Sequence, residues 1–331
     1  MNIQTVLGPV PVADLGRTLF HEHLLIMYPG AEYDSTLPFD RDSAIRQATA
    51  RLTELREVYG VGTFIDPCPI ELGRDVEAMV AVSEGSGVNV VCTTGFYFQP
   101  LGLPPYWANS TVEQIAELYI HELQKGVGGT GVRAGGLKCA TGSGQISQSE
   151  KKCLEAACIA QKETGVRIWT HTTDGTCGPD QQAIFAGHGV DLGQVVIGHC
   201  CESTDRDYHR RIVEAGSYIG FDRIGWAQYQ SDENRADCLA ALVQAGFADQ
   251  VLLGQDRYTA MRGRYGRPQS AEEVARMEAL KKEGNWPPPY THLFTTFFPM
   301  MNERGVSDEQ LYAMLDRNTL RFLSGEALAR Q

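Results

Sequence analysis

No run of about 18 apolar residues, the length that spans a bilayer, occurs in the 331-residue chain. The opening residues MNIQTVLGPVPVADLG have no basic segment ahead of an apolar one, so we expect no secretory signal there. Basic residues are in the minority, with 29 Lys and Arg against 41 Asp and Glu. The resulting net charge of −12 argues against nucleic acid or an anionic membrane as a partner.

Cysteines spaced as C-x-x-C are also missing, and the cysteine count, nine, is odd. Cys92, Cys139 and Cys200 lie inside apolar segments, and the adjacent Cys200 and Cys201 cannot readily bridge each other. We therefore expect buried free thiols in a reducing compartment, the cytoplasm. Hydrophobic residues make up 43% of the chain and charged residues 21%, which is typical of a globular protein.

Short apolar segments, each ending in glycine or a polar residue, recur along the chain. Segments of this kind are typical of buried parallel strands. They are RTLF (17–20), GTFIDP (62–67), NVVCTTG (89–95), AGGLKCATG (134–142), RIWTHT (167–172), VVIGHC (195–200), SYIGFD (217–222) and VLLGQD (251–256).

Helical patterns lie between these segments. In 42–59 the apolar residues recur at helical spacing and Gly60 follows as a stop signal. Ser307 is a predicted N-cap of a C-terminal helix. The other helical patterns cover 111–126, 149–163, 203–215 and 233–246.

Eight strand–helix units predict an α/β fold, a (β/α)₈ TIM barrel formed by residues 1–331 as a single domain. The polar stretch 257–290 is predicted to be an extended loop after the eighth strand. A doubly wound open sheet is the main alternative. It would have a glycine-rich fingerprint after the first strand, where this chain has His-x-His.

Side chains of the types that bind metals lie at the ends of the predicted strands, except for a lysine that lies within the fourth. In a barrel these strand ends converge on one face, so we expect the side chains to meet. Residues two apart on a strand share a face, so the first two histidines can hold one cation. Imidazole and carboxylate suit zinc and its neighbours. The residues are His21, His23, Lys138, His171, His199 and Asp256.

Lys138 is unusual in this set, because an ammonium group repels a divalent cation. A buried lysine of lowered pKa can be neutral, and a neutral amine can add carbon dioxide to give an anionic, bridging carbamate. The alternative for Lys138 is an ion pair inside the barrel.

This succession of HxH, Lys, His, His and Asp resembles the amidohydrolase superfamily. TLFHEHLL, AGGLKCATG, THTTDGT, VIGHC, IGFDRIG and RNTLRFLS resemble the phosphotriesterase family, over nearly the whole chain. The resemblance implies two divalent metal ions, with zinc favoured and cobalt, manganese or iron also compatible. His21, His23 and Asp256 would hold the more buried ion, and His171 and His199 the more exposed one. Carboxylated Lys138 and a hydroxide would bridge them.

Two motifs resemble the phosphotriesterase-like lactonases. TGFYF puts Tyr97, and FDRIG puts Arg223, at the mouth of the site as substrate-binding residues. The alternatives are that Tyr97 only fills the barrel and that Arg223 only pairs with Asp222. Aromatic and apolar loop residues are further candidates for a substrate pocket, or else pack the loops: Trp226, Tyr229, Tyr258, Met261, Tyr265 and Trp286.

The resemblance implies an enzyme that opens lactones, either N-acyl-homoserine lactones or other γ- and δ-lactones, with promiscuous phosphotriesterase activity. A metal-bridging hydroxide would attack the carbonyl, and Asp256 would take the proton and pass it to the leaving alkoxide. Two alternatives remain: a dedicated hydrolase of another neutral ester (organophosphate triester, carbamate or acylated sugar), and a non-catalytic metal-dependent binding protein. We also expect a homodimer. The remaining histidines are predicted to be structural or solvated: His121, His188, His209 and His292.

Overall fold

The structure, a computed structural model, describes residues 1–101, 103–264, 270–283 and 287–327. Within these residues, eight parallel strands form one sheet in which each strand pairs with the next along the chain. All eight predicted strands are present, most of them shorter than predicted. They are Arg17–Leu19, Val61–Asp66, Asn89–Gly95, Gly136–Lys138, Arg167–Trp169, Val195–Ile197, Tyr218–Phe221 and Val251–Leu253.

The sheet closes where the end of the eighth barrel strand meets the end of the first. The Asp256 N–H donates to the His21 carbonyl over 3.0 Å, and the His23 N–H donates to the Arg257 carbonyl over 2.7 Å. The strand order follows the chain without reversal, whereas a doubly wound sheet reverses its order at a switch point. The predicted (β/α)₈ barrel is therefore confirmed, and the open sheet is wrong.

Helices connect the strands, and capping side chains fix many of their first turns. Asp40 caps the start of the first helix (α1, Arg41–Tyr59), and Gly60, at a φ of 70°, caps its end. Ser307 caps α11 as predicted, although the C-terminal region forms two helices that meet at Asp316. The helices α1 to α12 in the described residues are Arg41–Tyr59, Val76–Ser86, Pro105–Ala108, Val112–Gln124, Gln148–Thr164, Gly178–Gly187, Arg206–Glu214, Asp232–Gln244, Ala271–Lys282, Phe298–Asn302, Asp308–Leu315 and Arg317–Ser324.

Two apolar cores lie on either side of the barrel wall, because neighbouring residues of a strand face opposite ways. Phe64 packs in the outer core between strands and helices, whereas Ile65 packs in the inner core with Phe20 and Trp169. The Trp169 indole N–H donates to the Phe20 carbonyl over 3.0 Å inside the barrel. The inner core fills the barrel below the strand ends, which leaves the space inside the barrel at its carboxyl-terminal mouth.

The segment after the eighth barrel strand is inserted where the sequence predicted it, but it is not a plain loop. Its strand Tyr258–Arg262 pairs in parallel with His23–Met27, which continues the first barrel strand, and α9 follows. A second small sheet pairs Asn2–Thr5 with Gly8–Pro11 in antiparallel fashion. The extended-loop prediction for 257–290 missed this strand because its hydrogen-bonding partner lies at the other end of the chain.

All nine cysteines are free and buried, which confirms the prediction from their apolar surroundings. Among the residues that the structure describes, no helix is both long enough and apolar enough to cross a bilayer.

Candidate active site

The structure brings the six predicted metal-binding side chains together at the mouth of the barrel. His21 and His23 follow the first barrel strand, and Lys138 ends the fourth. His171 and His199 each come two residues after a strand, and Asp256 comes three residues after the last. All of these side chains are buried except that of Asp256, which is 15% exposed.

Three donor atoms face one another around a single point. His23 Nε2 lies 3.1 Å from Asp256 Oδ1, and His21 Nε2 lies 3.6 Å from the same oxygen. All three ligand atoms are within 4.8 Å of one another. Two imidazole nitrogens and a carboxylate oxygen at this spacing can hold one divalent cation of the zinc type.

Carboxylates orient these histidines from behind. Asp222 accepts from His21 Nδ1 over 2.6 Å, and Asp66 accepts from His23 Nδ1 over 2.8 Å. His199 Nδ1 also lies 3.1 Å from Asp222. Such partners fix the tautomer, so that Nε2 keeps its lone pair for a metal. Asp222 therefore serves two histidines, and the alternative that it pairs with Arg223 is wrong.

Sequence reasoning missed Asp66 and Asp222 as orienting groups. Each stands at the end of a predicted strand, in FIDP and GFDR, where its carboxylate reaches the same face as the histidines. A histidine that binds a metal needs a partner for its other nitrogen. Looking for that partner among strand-end acidic residues would have found both.

Burial and neighbouring charge adjust the protonation of the first two histidines in opposite directions. Burial, with a further contribution from Lys138, lowers the pKa of His21 to about 3, so the ring is neutral at pH 7. Burial also lowers the pKa of His23, but Asp66 and Asp256 outweigh it and raise that pKa well above its usual value. Metal binding at His23 Nε2 would therefore release a proton.

Lys138 is almost completely buried, and its Nζ lies 3.2 Å from His21 Nε2. Burial lowers the pKa of this amine to about 8, so a substantial part of it is uncharged under mildly alkaline conditions. Lys138 is therefore a buried amine that contacts an imidazole of the site and loses its charge more readily than an ordinary lysine.

The remaining two histidines pack against each other, with ring centroids 4.4 Å apart. His171 uses Nε2 to contact Thr173 Oγ1 at 3.1 Å, which leaves Nδ1 as the nitrogen that can bind a metal. Tyr97 and Phe98 contact the His171 ring on other sides, with centroids 4.8 and 5.2 Å away. Burial, followed by the charge of His199, lowers the pKa of His171 well below its usual value, so this ring is neutral.

Two residues of the site have left-handed backbone conformations. His199 has a φ of 59° and Asp256 a φ of 50°. Such conformations cost about 1–3 kcal/mol each in residues other than glycine and persist only where the surroundings hold them. Here the His199 N–H donates to Asp222 over 2.6 Å, and the Asp256 N–H donates to His21. Both turns direct the side chains into the mouth of the barrel.

Arg223 contacts Asp256 directly. Its Nε donates to Asp256 Oδ2 over 2.8 Å, another guanidinium nitrogen pairs with Glu202, and the group lies 4.5 Å from the Tyr229 ring centroid. Burial raises the pKa of Asp256, but His199 and Arg223 outweigh it and hold that pKa well below the usual range. Asp256 is therefore an ionised carboxylate at neutral pH.

Aromatic and apolar side chains surround these polar groups. Glu71 fixes the Tyr97 backbone by accepting its N–H over 2.7 Å. Met261 is three residues further along the strand that Tyr258 begins, and Tyr265 and Trp286 lie outside the described residues. The apolar and aromatic wall of the site consists of Ile26, Tyr28, Pro69, Leu72, Tyr97, Trp226, Tyr229 and Tyr258.

Other histidines lie away from this mouth. His209 is buried and its Nε2 contacts the Cys200 carbonyl at 2.8 Å, and His292 pairs with Asp232. His121 is an exposed residue of α4, and His188 is exposed in the turn that follows α6. These positions agree with structural or solvated roles.

The sequence profile of the phosphotriesterase family matches residues 1–323. A phosphotriesterase homology protein from Mycobacterium tuberculosis is 36% identical over 97% of each chain. An aryldialkylphosphatase from Saccharolobus solfataricus is 30% identical over 94% of this chain and 96% of its own. A substituted variant of a PTE-like lactonase from Deinococcus radiodurans has a solved structure that superposes with a TM-score of 0.88 at 34% identity, covering 97% of this chain and 99% of the other. The chain therefore belongs to the phosphotriesterase family and is a hydrolase that acts on small-molecule esters.

Proposed function

We propose that this hydrolase opens lactones, either N-acyl-homoserine lactones or other γ- and δ-lactones, and hydrolyses phosphotriesters as a secondary activity. The observation that carries the proposal is the meeting of the metal-type side chains with Arg223 and Tyr97 in one mouth. The names of two relatives, a PTE-like lactonase and an aryldialkylphosphatase, support the two substrate classes. A cytoplasmic location and a homodimer remain predictions.

The donor atoms fit a binuclear centre. His21, His23 and Asp256 would hold one divalent ion, and His171 and His199 the second. Zinc is favoured, and cobalt, manganese and iron accept the same ligands. When bound, two such ions lower the pKa of a shared water towards neutrality and polarise the ester oxygen.

Lys138 would join the two halves of the centre as a carbamate. A bond would form between Nζ and the carbon of carbon dioxide as one C=O π bond breaks, and the proton lost from the amine would pass to water. The product is an anion with two oxygen donors, which removes the repulsion that an ammonium 3.2 Å from His21 Nε2 would exert on a cation.

Asp256 would be the proton acceptor of the reaction. Its carboxylate is ionised at neutral pH, faces both His21 and His23, and is reached from the mouth of the barrel. It can take the proton from the attacking water and deliver it to the leaving alkoxide. In a lactone that alkoxide remains tethered, so the product is a single hydroxy acid.

Arg223 and Tyr97 would select the substrate, with Trp226 and Tyr258 forming the wall beside them. A guanidinium and a phenol can hydrogen-bond to lactone oxygens, whereas the aromatic wall accepts acyl chains or aryl leaving groups. A dedicated phosphotriesterase would need the same polar centre. The residues of the loops around the mouth therefore determine whether lactones or phosphotriesters are preferred.

Metal analysis of the intact protein is expected to give about two divalent ions per chain, the number that a binuclear centre requires. Elemental mass spectrometry measures the ions. The metal-loaded enzyme is assayed on γ- and δ-lactones, aryl dialkyl phosphates and simple esters. The proposal fails if the chain binds no metal yet stays fully active. A preference for triesters over every lactone would indicate a dedicated phosphotriesterase.

Arg223→Gln is expected to lower lactonase activity more than phosphotriesterase activity, changing their ratio by about tenfold, which corresponds to one charge-assisted hydrogen bond of about 1.5 kcal/mol. Metal content is expected to stay the same, because Arg223 contacts Asp256 Oδ2, whereas Oδ1 is the oxygen that faces His21 and His23. Steady-state kcat/KM on both substrates measures the ratio. Arg210→Gln, which removes an exposed pair with Glu214, is the control. If the ratio of lactonase to phosphotriesterase activity does not change, Arg223 has a structural role and does not select the substrate.

A further inference from the structure

Glu22 lies between the two first-strand histidines and is completely buried. Its Oε1 accepts the Gln255 N–H over 2.7 Å, and its Oε2 accepts the Arg257 N–H over 3.0 Å. These two bonds direct the carboxylate towards the residues that follow the eighth strand. Both oxygens of Glu22 are thus bound to the residues on either side of Asp256.

Main-chain hydrogen bonds also join residues 21–23 to residues 255–257. The Asp256 N–H donates to the His21 carbonyl over 3.0 Å, and the His23 N–H donates to the Arg257 carbonyl over 2.7 Å. Three consecutive peptide N–H groups, those of Gln255, Asp256 and Arg257, are therefore all bonded to residues 21 and 22. The orientation of the peptide planes before and after Asp256 is fixed.

Fixing these planes matters because Asp256 has a φ of 50°. Its backbone would relax into an ordinary strand conformation if the flanking N–H groups were released. That relaxation would turn the carboxylate. In the observed conformation Asp256 Oδ1 faces the His23 Nε2 at 3.1 Å and Oδ2 accepts from Arg223 at 2.8 Å.

We infer that Glu22 is a positioning residue for Asp256: by holding the N–H groups of Gln255 and Arg257 it keeps the Asp256 carboxylate aimed at His21 and His23. The inference rests on the proposed roles of these three residues. It goes beyond those roles in one respect: Glu22, which lies between the two histidines, sets the orientation of the Asp256 side chain after the eighth barrel strand. If Glu22 had only a structural role, its substitution would lower the stability of the fold but would not change kcat or the rate of metal release through Asp256.

The Glu22→Gln variant tests this role. The amide keeps the size of the side chain and one acceptor oxygen, but its NH₂ group opposes one of the two N–H donors. We expect kcat to fall and chelator-driven metal release to accelerate, each by about 10- to 100-fold, the usual effect of losing a group that orients a metal ligand. KM is expected to stay within a few-fold. Rates of metal release into excess 1,10-phenanthroline need no turnover and are measured separately.

Asp75→Asn is the matched control. It also removes a carboxylate that accepts a backbone N–H, that of Ala78, and that pairs with Arg41, but it lies at the start of α2. We expect this variant to lose stability while its kcat and its metal release rate stay at the wild-type values.

A double-mutant cycle separates action through Asp256 from an independent effect. In the Asp256→Asn background, Glu22→Gln is expected to lower kcat by no more than about twofold, since the group that it positions is already disabled. An equal loss in both backgrounds would overturn the inference. So would unchanged kcat and metal release in the single variant. If the E22Q chain does not fold, Glu22→Asp, which keeps the carboxyl group but shortens its reach, is measured in the same way and judged by the same criteria.

The proposed function and the inference fail in different ways. A wild-type chain that binds no metal would overturn the proposed function. A wild-type chain with its metal and esterase activity, beside an E22Q variant with identical kcat and metal release, would overturn only the positioning role.

Discussion

The Lys138→Ala variant is expected to lose metal and activity together, with kcat/KM falling by about 10³-fold, because the ions supply several kcal/mol of transition-state stabilisation. Alanine leaves no amine to add carbon dioxide and therefore no anionic bridge between the two halves of the centre. The side chain is buried beside His21, so its removal also leaves a space within the site. Elemental analysis and steady-state kinetics on the same preparation measure the two losses.

Short carboxylic acids are expected to restore part of both losses in the Lys138→Ala enzyme, since acetate or propionate can place a carboxylate in the vacated space. Lys152→Ala is the control: that lysine donates to the carbonyls of Ala108 and Ser110 and does not line the site. The Lys152→Ala variant is expected to keep its metal, and added carboxylic acid is expected to leave its activity unchanged. A Lys138→Ala enzyme with a full complement of ions and the wild-type rate would rule out the carbamate.

Asp256→Asn is expected to lower kcat by about 10²- to 10⁴-fold, the usual contribution of a positioned acid–base group. Asparagine keeps the shape and one neutral oxygen donor, so the variant should still bind part of its metal and bind substrate analogues. It cannot take a proton. Asp249→Asn, at a surface carboxylate paired with Arg317 and Arg321, is the control and should leave kcat unchanged.

The pH dependence of activity gives a second test of Asp256 as the proton acceptor. A carboxylate accepts a proton only when ionised, so the activity that depends on Asp256 is present above its pKa and lost as pH falls through it. Because His199 and Arg223 hold that pKa well below the usual range, this acidic limb should lie at low pH in the wild type. It should be absent in Asp256→Asn and move to higher pH in Arg223→Gln. If kcat of Asp256→Asn stays within a few-fold of wild type, Asp256 is not the acceptor, and neither His188 nor His209 is placed to replace it.

The sequence predicted the barrel and the meeting of six polar side chains because both depend on a short-range pattern. Each strand is a brief apolar segment that ends in a polar residue, and parallel strands bring those ends to one face. The pattern alone places His171 and His199 at the ends of their strand segments, and in the structure both lie two residues after the shorter observed strands.

Helices α2 and α6 are among those that the sequence did not predict, because their inner faces do not show an apolar stripe. Helix α6 buries Gln181 and Gln182 beside Phe185, and Gln181 donates to Thr141 and to the His171 carbonyl. Helix α2 is buried on most sides, with serines among its buried residues, so its periodicity is weak.

The groups that orient the site were harder to predict, since their partners are distant in the chain. Asp222 meets His21 across 201 positions, and Glu22 meets Gln255 across 233. A carboxylate that accepts backbone N–H groups leaves no periodic pattern in the sequence. Only the closed barrel shows which N–H groups are within reach.

The closure of the barrel at residues 21–23 and 255–257 has a consequence for how the protein is made. Glu22 and Arg257 are 235 positions apart, so a chain emerging from the ribosome has no complete ligand set until its eighth strand has been synthesised and docked. Joining such distant segments is entropically costly and slow. Divalent ions that bind only the closed form then stabilise it by mass action, by about 2.7 kcal/mol at a free concentration 100 times the dissociation constant. Metal supply would therefore govern the yield of folded enzyme as well as its turnover.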